Sequence, residues 1–151
     1  MLEILVALAV FSLGLLGAAA MLLDSLRSHA AALHRLGATQ VARDMADRIR
    51  ANPRGRTHYD TRSPAAGIED CLEAGCDTAQ LAAADRAHFA GAARALFANL
   101  DFTAQVEFEP AIGPATPDRY VISLRWRDSR DAADDNDAVA LQVLAQSPVA
   151  G

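Results

Sequence analysis

The sequence predicts an α+β fold, in which a long N-terminal helix packs on an antiparallel β-sheet that belongs to a globular head. Three observations predict it. Residues 4–23 carry no charge, residues 24–51 repeat apolar side chains at helical spacing, and three later segments alternate apolar and polar side chains. A chain of 151 residues has room for one domain of ordinary size and an apolar segment.

Residues 1–23 have the length and composition of a membrane-spanning helix. Twenty helical residues rise about 30 Å, which is the thickness of a bilayer core. A cleaved secretory signal would have a basic region ahead of a shorter apolar core, so we expect this segment to be retained. Glu3 is its only charge. An unpaired carboxylate is unfavourable in hydrocarbon, so Glu3 either pairs with a partner or lies among the lipid headgroups.

The same helix is predicted to continue to residue 51. No proline occurs in residues 24–51, and Pro53 cannot continue a helix. Its apolar stripe consists of Leu26, Ala30, Leu33, Gly37, Val41, Met45 and Ile49. We therefore divide the chain into an apolar half-helix at 1–23, an amphipathic half-helix at 24–52 and a head at 53–151.

The head is predicted to contain an irregular connector, a second helix and three strands. The connector, with room for one short strand, precedes a capping box formed by Asp77 and Gln80, which predicts a helix over 78–98. Its core face would include Phe89, Leu96 and Phe97, and His88 would lie at the surface. The alternating segments 102–108, 120–126 and 139–145 predict strands with one apolar face, which the amphipathic half-helix would cover.

Two cysteines, Cys71 and Cys76, lie close together in the connector. This spacing favours a small disulfide loop over free thiols or a metal site, and a disulfide implies an oxidising compartment.

Charge and motifs exclude several classes of function. The net charge is −5, which argues against a general nucleic-acid binder. The arginines of residues 43–56 could contact DNA, acidic lipid or a neighbouring subunit, and the interspersed aspartates favour a subunit. The acidic run at 128–137 lacks EF-hand spacing, which favours a solvated hairpin loop over calcium. No catalytic set and no cofactor motif is evident, so we expect no enzyme activity.

Several stretches resemble the type IV pilins and, more closely, the PilV minor pilin family, whose members are called type IV pilus modification proteins. They are "LEILVALAVFSLGLLGAAAMLLDSLRS", "ALHRLGATQVARDMADRIRANPRG", "CDTAQLAAADRAHFAGAARALFANL" and "YVISLRWRD". The resemblance implies a type IV pilin-like fold. It also implies that Glu3 is the assembly residue, which pairs with the N-terminal amine of a neighbouring subunit. The family begins with a basic leader, a glycine and a phenylalanine, which we expect ahead of Leu2.

The resemblance further implies a structural subunit that helps to prime pilus assembly and sits in the tip complex, where it supports adhesion and twitching motility. Its partners would be other minor pilins, the major pilin, a PilY-type tip adhesin, inner-membrane lipid and the assembly machinery. The chain would reside in the bacterial inner membrane with a periplasmic head and then in the pilus. A type II secretion pseudopilin, a single-pass periplasmic binding domain and a DNA-uptake pilin are the alternatives.

Overall fold

The computed structural model describes residues 2–64, 75–112, 118–127 and 141–146. The elements are α1, a 3₁₀-helix, α2, β1, β2 and β3, which span Leu2–Ala51, Pro53–Tyr59, Thr78–Leu96, Asp101–Glu109, Arg119–Arg127 and Leu141–Gln146 in that order. The chain divides into two units, Met1–Leu36 and Gly37–Gly151, so α1 contributes to both. The α+β fold class is confirmed.

The first unit consists of the N-terminal part of α1. No side chain in residues 2–36 is buried within the chain. Leu26 and Leu33, which belong to the predicted apolar stripe, are 58% and 66% exposed. The stripe is therefore a packing surface within the chain only from Gly37 onward.

The second part of α1 packs on the head through small side chains. Ala38, Ala42 and Ala46 follow one another at four-residue intervals, and all are buried. This spacing places them on one face of the helix, where their small size permits close approach. Met45 and Ile49 extend the same buried cluster, which also contains the inner face of the sheet. The prediction that the half-helix 24–52 packs on the core of the head therefore holds for its part from Gly37 onward and not for residues 24–36.

The connector begins as the 3₁₀-helix Pro53–Tyr59, whereas the sequence left room for a strand. Among the described residues of the connector there is no strand. The reason is local, because Pro53 fixes a helical φ and the side chain of Asn52 accepts a hydrogen bond from the Gly55 N–H at 3.2 Å. Residues 65–74 lie outside the described part of the chain.

Helix α2 begins as the capping box predicted. The Asp77 carboxylate accepts hydrogen bonds from the N–H groups of Ala79 and Gln80, both at 2.8 Å, and the Gln80 side chain accepts one from the Asp77 N–H at 3.0 Å. The helix ends at Leu96, two residues earlier than predicted. Phe89 and Phe97 are buried, as expected from their spacing.

The sheet has the order β1-β2-β3, and both strand pairs are antiparallel. In its register Val106 lies opposite Ile122, and Phe102 lies opposite Trp126. These side chains belong to the inner face, where Phe97 stacks on Trp126 with ring centroids 4.8 Å apart. In β1 and β2 the inward positions are buried or half-buried and most of the others are exposed, which confirms the predicted alternation in these two strands, with Ser123 as a buried exception.

Candidate functional site

Among the described residues, most of the exposed large apolar side chains belong to the apolar segment, residues 4–23 of α1. Within the described residues, α1 is the one helix that is long and apolar enough to cross a membrane. None of the segment's side chains is buried by the rest of the chain. Phe11 is 65% exposed and Leu16 is 68% exposed. Surfaces of this extent in soluble surroundings mark contacts with lipid or with another protein.

Glu3 lies in the first turn of α1, directly before the apolar segment. Its side chain is exposed. The structure thus places the predicted assembly residue at the end of the apolar segment. Its pairing with another subunit stays a prediction.

The small and polar residues of the apolar segment, Ser12, Gly14 and Gly17, make no contact with the rest of the described chain. The Ser12 hydroxyl donates a hydrogen bond to the Leu8 carbonyl at 2.7 Å, so it is satisfied within the helix. Gly14 and Gly17 have open space around the position that a Cβ would take. These glycines therefore serve no packing contact within the described chain.

At the other end of α1, a polar cluster links it to the 3₁₀-helix and to α2. The Arg48 guanidinium bonds to the carboxylates of Asp44 at 2.8 Å and Asp85 at 2.9 Å. Tyr59 donates its hydroxyl hydrogen to Asp85 at 2.7 Å. These hydrogen bonds raise the pKa of Arg48, and burial followed by the bond to Asp85 raises the pKa of Tyr59. Sequence reasoning missed this cluster, which holds the C-terminal end of α1 against α2 and the 3₁₀-helix.

A second polar cluster joins the connector to β1. Asp60 accepts hydrogen bonds from the Arg62 guanidinium, the shortest at 2.7 Å, and from the N–H of Phe108 at 3.3 Å. The bonds from Arg62 are the main cause that lowers the pKa of Asp60 to about 2. Arg86 holds the same stretch by donating to the carbonyls of His58 and Ser63, at 3.2 and 3.0 Å. The first residues after the 3₁₀-helix are thereby fixed on the head.

Some of the remaining predicted features lie in the described part of the chain and others lie outside it. Cys76 is half-buried, whereas Cys71 and the acidic run at 128–137 lie outside the described residues. The disulfide and the solvated loop therefore stay predictions. His88 lies at the surface, as predicted, with its Nδ1 3.6 Å from Asp44. Among the described residues no cluster has the ligands for a metal ion.

The arginines of residues 43–56 are largely engaged within the chain. Besides Arg48, Arg50 pairs with Asp47 at 2.6 Å and Arg56 pairs with Asp118 at 2.8 Å. These carboxylates neutralise much of the positive charge that the sequence presents as a run. Because part of the positive charge is already paired, the case for a nucleic-acid contact is weaker than the sequence suggests.

A family comparison connects this geometry to known proteins. The family model described as "Tt1218-like: Type IV pilin Tt1218" matches residues 20–87. The match supports a type IV pilin. It covers somewhat less than half of the chain and ends inside α2. Searches of the curated proteins and of the solved structures gave no match.

The fold is type IV pilin-like, with a long N-terminal helix followed by a helix and an antiparallel sheet. The family match leaves out Glu3, most of the apolar segment and the whole sheet. The first part of the apolar helix and the sheet complete the pilin-like layout outside the residues that the match covers. Type IV pilins are in general structural proteins, and the apolar helix fits membrane anchoring and assembly with other pilins.

Proposed function

We propose that the chain is a minor pilin of the PilV kind, a structural subunit that helps to prime assembly of the type IV pilus and sits in its tip complex. In that position it would support adhesion and twitching motility. The family match supports the pilin class. The resemblance of "DMADRIRANP", the cysteine loop and the "RW" strand to PilV supports the narrower assignment.

The observation that carries this proposal is the complete exposure of the apolar segment within the chain. Burial of apolar surface contributes about 25 cal/mol per Å², so a helix with apolar side chains on every side requires a partner beyond its own chain. Lipid supplies that partner while the subunit waits in the inner membrane. The corresponding helices of neighbouring pilins would replace lipid in the filament.

Glu3 would determine how neighbouring helices align when they replace lipid. A carboxylate in a low-dielectric environment is strongly destabilising unless a positive group pairs with it. The N-terminal amine of a neighbouring pilin would provide that charge. Because only one position along the helices brings the two charges together, the pair would fix the register between subunits.

The proposal implies a set of partners and a location. The subunit would contact other minor pilins, the major pilin, a PilY-type tip adhesin and the inner-membrane assembly machinery. Its head would lie in the periplasm before assembly and at the cell surface afterwards. A disulfide between Cys71 and Cys76 would fit that oxidising compartment.

The role of Glu3 is tested by replacing it in the native protein within its own cells. We expect Glu3→Ala and the isosteric Glu3→Gln to block incorporation into pili, because both remove the charge. Membrane insertion should be unchanged, because the apolar segment is intact. The measurement compares the amount of subunit in the membrane fraction with the amount in sheared pili.

Ser12→Ala is the matched control, because it changes a polar group of the same helix whose hydrogen bond stays within the chain. We expect normal incorporation of that variant. Normal incorporation of Glu3→Gln would refute the assembly role of Glu3. A chain that is absent from sheared pili even in its native form would refute the pilin subunit itself.

A further inference from the structure

An open cleft of about 400 Å³ lies at the end of the β1–β2 ladder, and its lining shares no residue with the two polar clusters. It is lined by Asp101, Phe102 and Thr103 of β1 and by Arg125, Trp126 and Arg127 of β2. Its lining therefore combines aromatic side chains of the inner face with charged side chains of the outer face. This mixture of apolar floor and polar rim is typical of a recognition site.

Arg125 is the cleft's unengaged cation. Its cross-strand neighbour is the neutral Thr103, whereas Arg127 lies opposite Asp101. Arg119, at the other end of β2, bonds to Glu109 at 2.7 Å through its Nε. Within the described part of the chain, Arg125 is exposed and makes no ion pair or hydrogen bond. Its five N–H donors are therefore free to bind a carboxylate.

Among the described residues, nothing pairs with the edge of β1 that faces away from β2 beside this cleft. Further along the same edge, the Thr61 N–H donates to the Val106 carbonyl at 2.9 Å. The side-chain Oγ1 of Thr61 accepts a hydrogen bond from the Val106 N–H at 3.1 Å. Alternation along a strand directs the N–H and C=O groups of Phe102 and Ala104 to the same side. Neither has a hydrogen-bond partner there among the described residues. An exposed edge of this kind can pair with an added strand.

We propose that this cleft binds an extended acidic segment of another protein, which adds to the edge of β1 at Phe102–Ala104 and places a carboxylate on Arg125. The added strand would gain main-chain hydrogen bonds from the open edge. One of its apolar side chains would contact Phe102, which lies between the added strand and Trp126. This surface is independent of the apolar segment and of Glu3, so it does not depend on the proposed assembly role.

The free guanidinium of Arg125 favours a carboxylate at the position of the partner that faces it. Residues 63–151 contain fourteen acidic side chains and six arginines, so most of the head repels acidic chains. Arg125 is a local exception with a bidentate geometry suited to carboxylates. The open backbone edge favours a peptide over a small anion, because a small anion cannot use main-chain pairing.

Trp126 is the chain's only tryptophan and lines the cleft, so its fluorescence reports binding directly. The full-length chain in a mild detergent is titrated with acetyl-Val-Glu-Val-Glu-Val-amide. A matched peptide with Gln in place of Glu is titrated in parallel. We expect a saturable change in emission with the acidic peptide and about tenfold weaker binding of the Gln peptide, because hydrogen bonds to a charged group contribute the difference.

Three variants separate the contributions. Arg125→Gln should bind the acidic peptide about tenfold more weakly, whereas Arg119→Gln, at the opposite end of β2, should bind it as the native chain does. Ala104→Pro removes an N–H from the open edge, which proline tolerates, and should abolish binding of both peptides. The emission spectrum of each unbound variant verifies that Trp126 keeps its surroundings.

Equal affinity for the two peptides, or native affinity of Arg125→Gln, would overturn the proposal. Saturation of the same fluorescence change by glucuronate alone would also overturn it, because the site would then recognise a small anion without strand pairing. None of these outcomes bears on incorporation of the subunit into pili. Failure here and failure of the proposed assembly role are therefore distinguishable.

Discussion

The two parts of α1 belong to one uninterrupted helix but treat apolar side chains in opposite ways. Residues 2–36 expose large side chains on every side, whereas the part from Gly37 to Ala51 buries mostly small ones. The difference shows where the partner of each part lies. The second part has its partner within the chain, in the head, and the first must find it in lipid or in another subunit.

The largest difference in stability between the two parts of α1 is expected when one methionine of each part is replaced. Met45 is fully buried, while Met21 is 79% exposed. We expect Met45→Ala to lower the free energy of unfolding of the head by about 3 kcal/mol, because it removes buried apolar contacts and leaves a cavity. Met21→Ala should leave that free energy unchanged.

The measurement is guanidinium unfolding of the full-length chain in detergent, followed by the fluorescence of Trp126. Trp126 stacks on Phe97 in the core, so its emission reports the head. Equal losses in the two variants would contradict the comparison. They would mean that the first part of α1 also contributes to the stability of the head.

Much of the fold could be predicted because its signals are local. The end of α1 follows from Pro53, the start of α2 follows from Asp77 and Gln80, and the strand faces follow from alternation. Each of these signals lies within a few residues of the feature that it determines. The length and uniform composition of the apolar segment were likewise sufficient to predict its exposure.

The polar clusters and the cleft could not be predicted, because they join residues that are distant in sequence. Arg48 and Asp85 are 37 residues apart, and Tyr59 and Asp85 are 26 apart. One signal was present, because Asp85 is a charged residue at a position where the helical spacing of α2 favours an apolar one. The cleft depends on the register that sets Asp101 opposite Arg127, which no local pattern reveals.

A smaller effect on the free energy of unfolding is expected from Asp60 in the connector, a charged group whose partners lie within the chain. The pKa of Asp60 is about 2, below its ordinary value of 3.8, because Arg62 and backbone N–H groups bind its carboxylate. A group with a depressed pKa stabilises the fold at pH values above its ordinary pKa. This contribution is lost as the pH falls from about 4 through 2. The contribution at neutral pH is about 2 kcal/mol.

Asp60→Asn isolates this contribution. We expect the native chain to exceed the variant by about 2 kcal/mol in free energy of unfolding at pH 6, and the difference to shrink as pH falls below about 4. Parallel denaturant titrations of both chains between pH 6 and 3 measure it. A difference that stays constant over that range would show that the ionised carboxylate of Asp60 contributes nothing.

The smallest effect compares two buried tyrosines, one with and one without a partner. Tyr59 and Tyr120 are 0% and 1% exposed. Tyr59 donates its hydroxyl hydrogen to Asp85, whereas the Tyr120 hydroxyl has no hydrogen-bond partner in the described part of the chain. We expect Tyr59→Phe to lower the free energy of unfolding by about 1–2 kcal/mol, because Asp85 loses a donor in a buried site.

Tyr120→Phe should cause no loss, and a slight gain is expected, because it removes a buried polar group that nothing satisfies. The same denaturant titrations measure both variants at neutral pH, far below the pKa of about 12 to which burial raises the Tyr120 hydroxyl. A loss for Tyr120→Phe as large as that for Tyr59→Phe would mean that its hydroxyl has a partner after all. Equal stability of Tyr59→Phe and the native chain would instead mean that the Asp85 cluster positions α1 without stabilising the head.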